Sequence, residues 1–254
     1  MNAVPELAEL DRLEQADAAE ILQWALAKFG RSLAIATAFQ AEGMVILDIA
    51  SRISPGVRVF TLDTGRLPEE TYQMMETVRE RYGVTVETVS PDAAEVESMV
   101  AVHGPNLFYR EVPFRNLCCE IRKVRPLERK LRELDAWVTG LRRTHNDSRA
   151  DVRKLETARG KLKLSPLADW SDEQVLAYIR QHDVPMHPLY KAGYRSIGCA
   201  PCTRAVQPGE DDRAGRWWWE QDAAKECGIH FTPDGKAERK LDVLLSEVLE
   251  ARRA

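Results

Sequence analysis

The chain has 254 residues, of which 44% are hydrophobic and 30% are charged, a composition typical of a globular protein with one substantial core. Its formal charge of −4 argues against a protein that coats nucleic acid through bulk positive charge. The sequence shows neither a signal-peptide start nor an apolar run of about 20 residues, the length of a membrane span. We therefore expect a cytoplasmic protein with no nucleic-acid partner and no membrane contact.

Helical and strand patterns alternate over the first 150 residues. Asp17 is a candidate helix cap and Gly30 a candidate helix end, on either side of apolar residues at helical spacing. Such an alternation predicts an α/β fold with a mainly parallel sheet that helices cover on both faces. The predicted helices are 17–30, 42–53, 68–83 and 127–134, and the predicted strands are 32–39, 57–63, 84–90 and 136–141.

Polar residues follow three of the predicted strands, at the edge where parallel sheets bind their ligands. The stretch TAFQAEG (37–43) offers a hydroxyl and the free N–H groups of a following helix, which suit an anion. The stretch LDTGRL (62–67) is a polar turn, for which an ordinary strand-to-helix connection is the alternative. No Walker or Rossmann glycine motif occurs, which disfavours a nicotinamide cofactor. The candidate nucleotide-binding residues are Thr37, Asp63, Thr64, Gly65, Arg142 and Arg143.

The regular alternation fades after residue 150. Ser171 and Gln174 have the spacing of a capping box at the start of a helix over 170–185. The final stretch 236–253 carries leucines on one face, so we expect an amphipathic helix that packs on the body or on a partner. The predicted organisation is one domain over 1–231, with a sheet core at 17–150 and a C-terminal segment at 151–231, and then a helical extension over 232–254.

Four of the five cysteines form two pairs. Cys118 and Cys119 are adjacent, and Cys199 and Cys202 form a Cys-x-x-Cys motif. In a compartment that keeps thiols reduced, four thiolates from two distant segments indicate a structural zinc site or an iron–sulfur cluster. Adjacent cysteines suit a cluster with separate iron corners better than a single small ion. Buried unligated thiols are the third alternative.

Cys227 lies apart from these pairs, in the stretch KECGIH. A lone cysteine is more often an inert apolar residue than a nucleophile. Arg213 and Arg216 lie nearby in the sequence and offer positive charge to a thiolate or to an anionic substrate, which favours the nucleophile. The three tryptophans at 217–219 are expected to pack the C-terminal region rather than to stack on a base.

Five stretches together carry a family resemblance: LDTGRLPEETY (62–72), CCEIRKVRPL (118–127), WVTGLRR (137–143), YRSIGCAPCTRAVQPGEDDRAGRWWWE (194–220) and KECGIH (225–230). They resemble the assimilatory adenylyl-sulfate reductases of bacteria and plant plastids, within the larger group of phosphoadenylyl-sulfate reductases. The resemblance implies an adenine-nucleotide α-hydrolase-like fold and a flexible C-terminal tail that carries Cys227 as nucleophile. It also implies a 4Fe-4S cluster on Cys118, Cys119, Cys199 and Cys202.

The resemblance implies a reaction as well. The Cys227 thiolate attacks the sulfur of adenylyl sulfate, AMP leaves, and thioredoxin or glutaredoxin thiols release sulfite from the S-sulfocysteine. This is a step of assimilatory sulfate reduction and cysteine biosynthesis. Reductases specific for the 3′-phosphorylated substrate typically lack the cysteine pairs, so the pairs favour adenylyl sulfate. By position in the motifs, the cations that meet the anionic substrate are Lys123, Arg142, Arg143, Arg213 and Arg216.

Three positions depart from the phosphate loop of such relatives, where Ser, Gly and Asp are common; this chain has Ala38, Gln40 and Gly43. One alternative function is reduction of 3′-phosphoadenylyl sulfate, alone or as a second substrate. Another is a tRNA sulfurtransferase, whose Ser-Gly-Gly-x-Asp-Ser loop this chain lacks. A third is a zinc-binding module without activity. A homo-oligomer is compatible with the sequence.

Overall fold

A computed structural model describes residues 7–145, 149–220 and 235–252 of the chain. No helix in these ranges is both long and apolar enough to cross a membrane. A π-helical turn spans Glu120–Val124. The helices are α1 (Leu7–Glu14), α2 (Ala18–Phe29), α3 (Ala41–Ile53), α4 (Glu69–Tyr82), α5 (Ala93–His103), α6 (Val112–Cys119), α7 (Arg125–Leu131), α8 (Asp172–His182) and α9 (Gly235–Ala251). The strands are β1 (Leu33–Ala36), β2 (Val59–Leu62), β3 (Val86–Val89), β4 (Ala136–Val138), β5 (Leu155–Ala158) and β6 (Lys161–Leu164).

The six strands form one sheet in the order β3-β2-β1-β4-β6-β5. β1 runs parallel to β2 and β4, and β4 runs parallel to β6. β5 is antiparallel to β6 at one edge. The predicted α/β fold with a mainly parallel sheet is therefore confirmed. The central strands β1 and β4 are almost wholly buried and apolar, as expected of parallel strands that are covered by other elements.

Local sequence signals fix several element ends. The Asp17 carboxylate accepts a hydrogen bond from the Glu20 N–H at the start of α2, and Gly30 ends that helix with a φ of +50°. At the start of α8, Ser171 and Gln174 form both hydrogen bonds of the predicted capping box. The hairpin of β5 and β6, which the sequence analysis did not predict, turns at Arg159 and Gly160, both with positive φ.

The chain divides into two compact units. Unit 1 comprises residues 1–61, 69–88 and 130–190, and unit 2 comprises 62–68, 89–129 and 191–254. The core of unit 1 is built around α2, α3 and the central strands. The core of unit 2 holds all four paired cysteines together with apolar side chains of α5, α6 and α9. The predicted terminal helix thus packs inside unit 2, whereas the domain boundary at 231 stays a prediction.

Candidate functional site

In unit 1, the chain after β1 is held by Thr37. Its N–H donates to the Phe60 carbonyl (3.0 Å), and its hydroxyl accepts a hydrogen bond from the Phe39 N–H (2.9 Å). Phe39 has a φ of +57°, so the chain turns sharply before it enters α3. A Cβ atom on Gly43 would lie 2.4 Å from the Thr37 hydroxyl oxygen. Glycine at 43, one of the departures from the relatives' loop, is therefore explained by the space that Thr37 occupies.

Arg142 is 4% exposed, and its guanidinium binds acceptors of unit 1. Nε donates to Glu42 (3.0 Å) and Nη1 to Thr144 (2.8 Å), and Nη2 binds Asp172. Glu42 belongs to the first turn of α3, so Arg142 fixes the start of the helix that follows Thr37. The N–H groups of Arg142 are thus bound to other side chains of the protein, and its contact with substrate stays a prediction.

Arg143 is likewise engaged within unit 1. Its Nε donates to the Val152 carbonyl (2.9 Å) and its Nη2 to Glu14 (2.8 Å). Thr37 and both arginines thus belong to unit 1, whereas Asp63, Thr64 and Gly65 belong to unit 2.

The predicted polar tip at 63–65 is a tight turn in unit 2. The Asp63 N–H donates to the Val89 carbonyl (3.1 Å), and the Asp63 carboxylate accepts from the Gly65 N–H (2.8 Å). Gly65 has a φ of +69°, a conformation that favours glycine. Thr64 is 1% exposed, and its hydroxyl lies 3.2 Å from Cys199 Sγ. The turn therefore touches the second cysteine pair.

The four paired cysteines meet in unit 2. They form no disulfide within the described part of the chain, and each is 7–9% exposed. Cys118 and Cys119 end α6 immediately before the π-helical turn, and Cys202 ends a short 3₁₀ turn that Cys199 precedes. All four line a single cavity, which we call the cysteine cavity. The other lining residues are Arg66, Phe108, Arg115, Arg122, Lys123, Pro201 and Trp217.

Burial raises the pKa of two of these thiols, Cys118 and Cys202, when no metal is bound. It raises the pKa of Cys118, against the opposing effect of Arg122. Burial, followed by the neighbouring Cys199, raises the pKa of Cys202 to about 12. Such thiols stay neutral at pH 7, whereas a bound metal replaces the proton. Among residues 7–145, 149–220 and 235–252, no three His, Cys, Asp or Glu side chains are arranged to hold a single metal ion.

Cations and an indole surround the cysteine cavity. The Cζ atoms of Arg115 and Arg216 each lie 4.6 Å from the ring centroid of Trp217. Arg122 donates from Nη1 to the Thr64 carbonyl (2.7 Å). The buried Nε of Arg122 and the indole N–H of Trp217 have no hydrogen-bond acceptor within the described part of the chain. Both residues line the cysteine cavity, and neither of these two donors has a partner among the described residues.

Of the other predicted catalytic residues, the structure describes Arg213 and Arg216 but not Cys227. Arg216 is buried, donates from Nη1 to the Ser196 hydroxyl (3.2 Å), and leaves no room for a Cβ at Gly198. The Arg213 N–H donates to Asp211 (2.8 Å). Cys227, the predicted nucleophile, lies in 221–234, outside the described residues.

Known proteins place the chain in a family. A model of the phosphoadenosine phosphosulfate reductase domain matches residues 32–205. Two relatives named adenosine 5′-phosphosulfate reductase are similar to this chain. The one from Allochromatium vinosum is 49% identical over 201 residues, 78% of each chain. The one from Burkholderia cepacia is 46% identical over 233 residues, 90% of each chain.

The chain belongs to the phosphoadenosine phosphosulfate reductase family. The family resemblance predicted from the motifs is thereby confirmed. A solved structure, the phosphoadenylyl-sulfate reductase of Candida auris in a phosphate complex, is 29% identical and superposes with a TM-score of 0.68, covering 81% of this chain and all of that one. The predicted adenine-nucleotide α-hydrolase-like fold agrees with this match and is confirmed.

Three arginines of the cysteine cavity in this family member were not predicted from the sequence: Arg66, Arg115 and Arg122. A signal existed for two of them. Arg115 precedes Cys118 and Cys119 by three and four positions, and Arg122 follows them by the same intervals, which places all four on one face of a helix. Arg66 carried no comparable signal, because only folding brings the turn after β2 to the cysteines.

Proposed function

We propose that this protein is an oxidoreductase that reduces adenylyl sulfate to sulfite and AMP in assimilatory sulfate reduction. The observation that carries the proposal is the cysteine cavity, in which two distant cysteine pairs meet among four cations. The names of the two bacterial relatives, each similar over at least 78% of this chain, support the same substrate.

The cysteine cavity fits a 4Fe-4S cluster by the chemistry of its groups. Four thiols are the full ligand set of such a cluster. The unpartnered N–H donors of Arg122 and Trp217 suit the sulfur acceptors of a cluster, and nearby arginines and a lysine offset its negative charge. We assign Cys118, Cys119, Cys199 and Cys202 as the ligands. When bound, the cluster supplies a structural link between the two pairs and a fixed charge, while thiols supply the reducing electrons.

Cys227 is the proposed nucleophile. Its thiolate attacks the sulfur of adenylyl sulfate and forms a sulfur–sulfur bond, while the bond from that sulfur to the bridging oxygen breaks. AMP leaves with the electron pair of the broken bond. Since nucleophile and substrate are both anionic, positive charge must offset their repulsion, and we assign this task to Lys123, Arg213 and Arg216.

An external dithiol completes the reaction. One thiolate of thioredoxin or glutaredoxin attacks the Cys227 sulfur, and sulfite leaves with the electron pair of the sulfur–sulfur bond. The second thiol then attacks the mixed disulfide, which restores Cys227 and leaves the partner oxidised to a disulfide. The sulfur of the substrate is thereby reduced by two electrons, which the partner supplies.

The strand-end residues are proposed to bind the nucleotide. Thr37 lies in the loop before α3, and the turn after β2 contains Asp63, Thr64 and Gly65. Because Arg142 and Arg143 already bind carboxylates of unit 1, their contact with substrate requires exchange of those partners. A role in holding the loop after β1 needs no such exchange.

The experiment that tests this function measures sulfite release under anaerobic conditions. Protein purified without oxygen is analysed for iron and acid-labile sulfide and then supplied with reduced thioredoxin and one of two nucleotides. We expect about four of each atom per chain and faster sulfite release from adenylyl sulfate than from its 3′-phosphorylated form. Faster sulfite release from the 3′-phosphorylated nucleotide would favour phosphoadenylyl-sulfate reduction, the activity in the name of the Candida auris protein. Release of sulfite from neither nucleotide would overturn the proposal.

A further inference from the structure

Helix α3 begins without a capping side chain. Its N-cap residue is Gln40, whose side chain makes no capping hydrogen bond. In α2, α5 and α8, by contrast, the N-cap side chain accepts a hydrogen bond from an N–H of the first turn. The start of α3 directly follows the loop of Thr37, to which the proposed function assigns the nucleotide. The first N–H groups of α3 therefore depend on acceptors from outside the helix.

Tyr190 supplies one such acceptor within unit 1. Its hydroxyl oxygen accepts a hydrogen bond from the N–H of Ala41, the first residue of α3, at 3.1 Å. Two residues earlier, Phe39 has a φ of +57°, which is unfavourable for a residue other than glycine and persists only where neighbouring contacts hold it. The Thr37 hydroxyl holds the Phe39 N–H before the helix, and Tyr190 holds Ala41 where the helix begins.

Tyr190 is itself held by a buried histidine. Its N–H donates to the His187 carbonyl (3.1 Å). His187 is 1% exposed, its Nδ1 accepts from the Leu189 N–H (3.3 Å), and its Nε2 lies 3.1 Å from the hydroxyl of Thr71 in α4. Burial lowers the pKa of His187, against the opposing effect of Glu70. The ring is therefore neutral at pH 7, and because Nδ1 accepts, Nε2 carries the proton and donates to Thr71. The segment 187–190 thus connects α4 to the start of α3.

We propose that Tyr190 is a positioning residue for the nucleotide, because its hydroxyl holds the loop 37–40 in the conformation that binds the ligand. This inference rests on the proposed function, which assigns the nucleotide to this loop. Without the hydroxyl, the Ala41 N–H loses its acceptor and the turn at Phe39 loses a support. The nucleotide must then order the turn when it binds, and its affinity falls by that cost. Tyr190 needs no contact with the nucleotide for this effect.

The test removes one hydroxyl group from the full-length protein, purified without oxygen. Tyr190→Phe keeps the ring and loses the acceptor. Tyr178→Phe is the matched control, because the Tyr178 hydroxyl also binds α3, donating to Asp48 at 2.8 Å, about two turns beyond Ala41. Both variants lose a hydrogen bond to the same helix, so both should unfold at lower urea concentration. Calorimetry should show the dissociation constant of AMP raised about fivefold in Tyr190→Phe, the effect of one hydrogen bond, and unchanged in Tyr178→Phe.

A second pair of variants tests the same connection without a change at Tyr190. Thr71→Val removes the acceptor of His187 and keeps the shape of threonine, whereas Thr71→Ser keeps the hydroxyl. AMP should bind more weakly to Thr71→Val than to Thr71→Ser. Because both substitutions act through one hydroxyl at Ala41, Thr71→Val should add little to the loss in Tyr190→Phe. Fully additive losses would contradict the connection through His187.

The outcomes separate this inference from the proposed function. Equal affinity of AMP for the parent and for folded Tyr190→Phe would overturn the inference alone. Equal weakening in Tyr190→Phe and Tyr178→Phe would also overturn it, since it would show a general loosening of α3. If the parent itself bound no AMP, the proposed nucleotide site and this inference would both be wrong.

Discussion

The hydroxyl of Thr64 lies 3.2 Å from the sulfur of Cys199. The Thr64 carbonyl accepts a hydrogen bond from Arg122, which lies in the π-helical turn after the first cysteine pair. One residue of the turn after β2 thus contacts the chain near both cysteine pairs. We expect this residue to govern how firmly the pairs hold the proposed 4Fe-4S cluster.

Thr64→Val should weaken cofactor retention, because valine keeps the shape of threonine but loses the hydroxyl beside Cys199. A hydrogen bond contributes about 1 kcal/mol, which is roughly a fivefold change in a rate or equilibrium. The measurement is the rate of iron loss to a chelator under anaerobic conditions. Thr64→Ser, which keeps the hydroxyl, should lose iron at the parent rate, and equal rates in all three proteins would contradict the expectation.

Gly43→Ala should disturb the loop after β1, because the new methyl group meets the Thr37 hydroxyl oxygen at 2.4 Å. We expect weaker binding of AMP, measured by calorimetry. The Gly43→Ala, Thr37→Ala double variant removes the clash, so it should bind no worse than Thr37→Ala alone. Additive losses in the double variant would show that Gly43 acts by another route.

Glu220→Gln should destabilise unit 2 strongly, because it leaves the buried charge of Arg115 without its carboxylate partner. Removal of one partner from a buried pair typically lowers the free energy of unfolding by about 3–5 kcal/mol. Urea unfolding measures the change. The matched control is Glu111→Gln, whose pair with Lys240 is about half exposed on both sides and should contribute less than about 1 kcal/mol. Similar losses in the two variants would contradict the account.

The stability of unit 1 should depend on pH through Glu87. Hydrogen bonds from Arg58, and then from Lys130, lower the pKa of Glu87 from 4.5 to about 2. Because the folded pKa lies below the unfolded one, the ion pairs stabilise the fold above the unfolded pKa and lose that contribution as pH falls towards 2.

Glu87→Gln should therefore lower the free energy of unfolding at pH 7 by about 1 kcal/mol, a value discounted because the carboxylate is about one-third exposed. The difference from the parent should shrink between pH 5 and pH 2 in urea titrations. A difference that stays constant over this range would disprove the role of the carboxylate charge. Glu76→Gln, from an exposed pair with Arg79, should show no such pH dependence.

The sequence predicted the central fold because its signals are local. Asp17, Gly30 and the Ser171–Gln174 capping box mark helix ends through neighbouring residues, and all are present. The predicted strand 32–39 is shorter in the structure, Leu33–Ala36, because Thr37 and Phe39 form the turn into α3. Helix α5 was missed although Asp92 caps it, since its apolar residues do not form a clear stripe.

The site was predictable only where a motif carries it. The chemistry of thiols predicted that the two cysteine pairs lie together, and the structure brings all four thiols to one cavity. The contacts of Arg66 and Glu220 depend on tertiary folding, which no spacing in the sequence encodes. The motif position of Arg142 predicted a contact with substrate. In the structure its guanidinium binds the carboxylates of Glu42 and Asp172, which lie 100 and 30 positions away in the sequence.

The central claim is that the Cys227 sulfur takes the sulfonate from the nucleotide, and one variant tests it most directly. Cys227→Ser is mixed with adenylyl sulfate under anaerobic conditions, with its iron content matched to the parent, and sulfite and AMP are measured over a single turnover and then with reduced thioredoxin. The account predicts that the parent gains a mass of one sulfonate on the peptide containing Cys227 and that the serine variant releases no sulfite. Sulfite release by Cys227→Ser at the parent rate would contradict it.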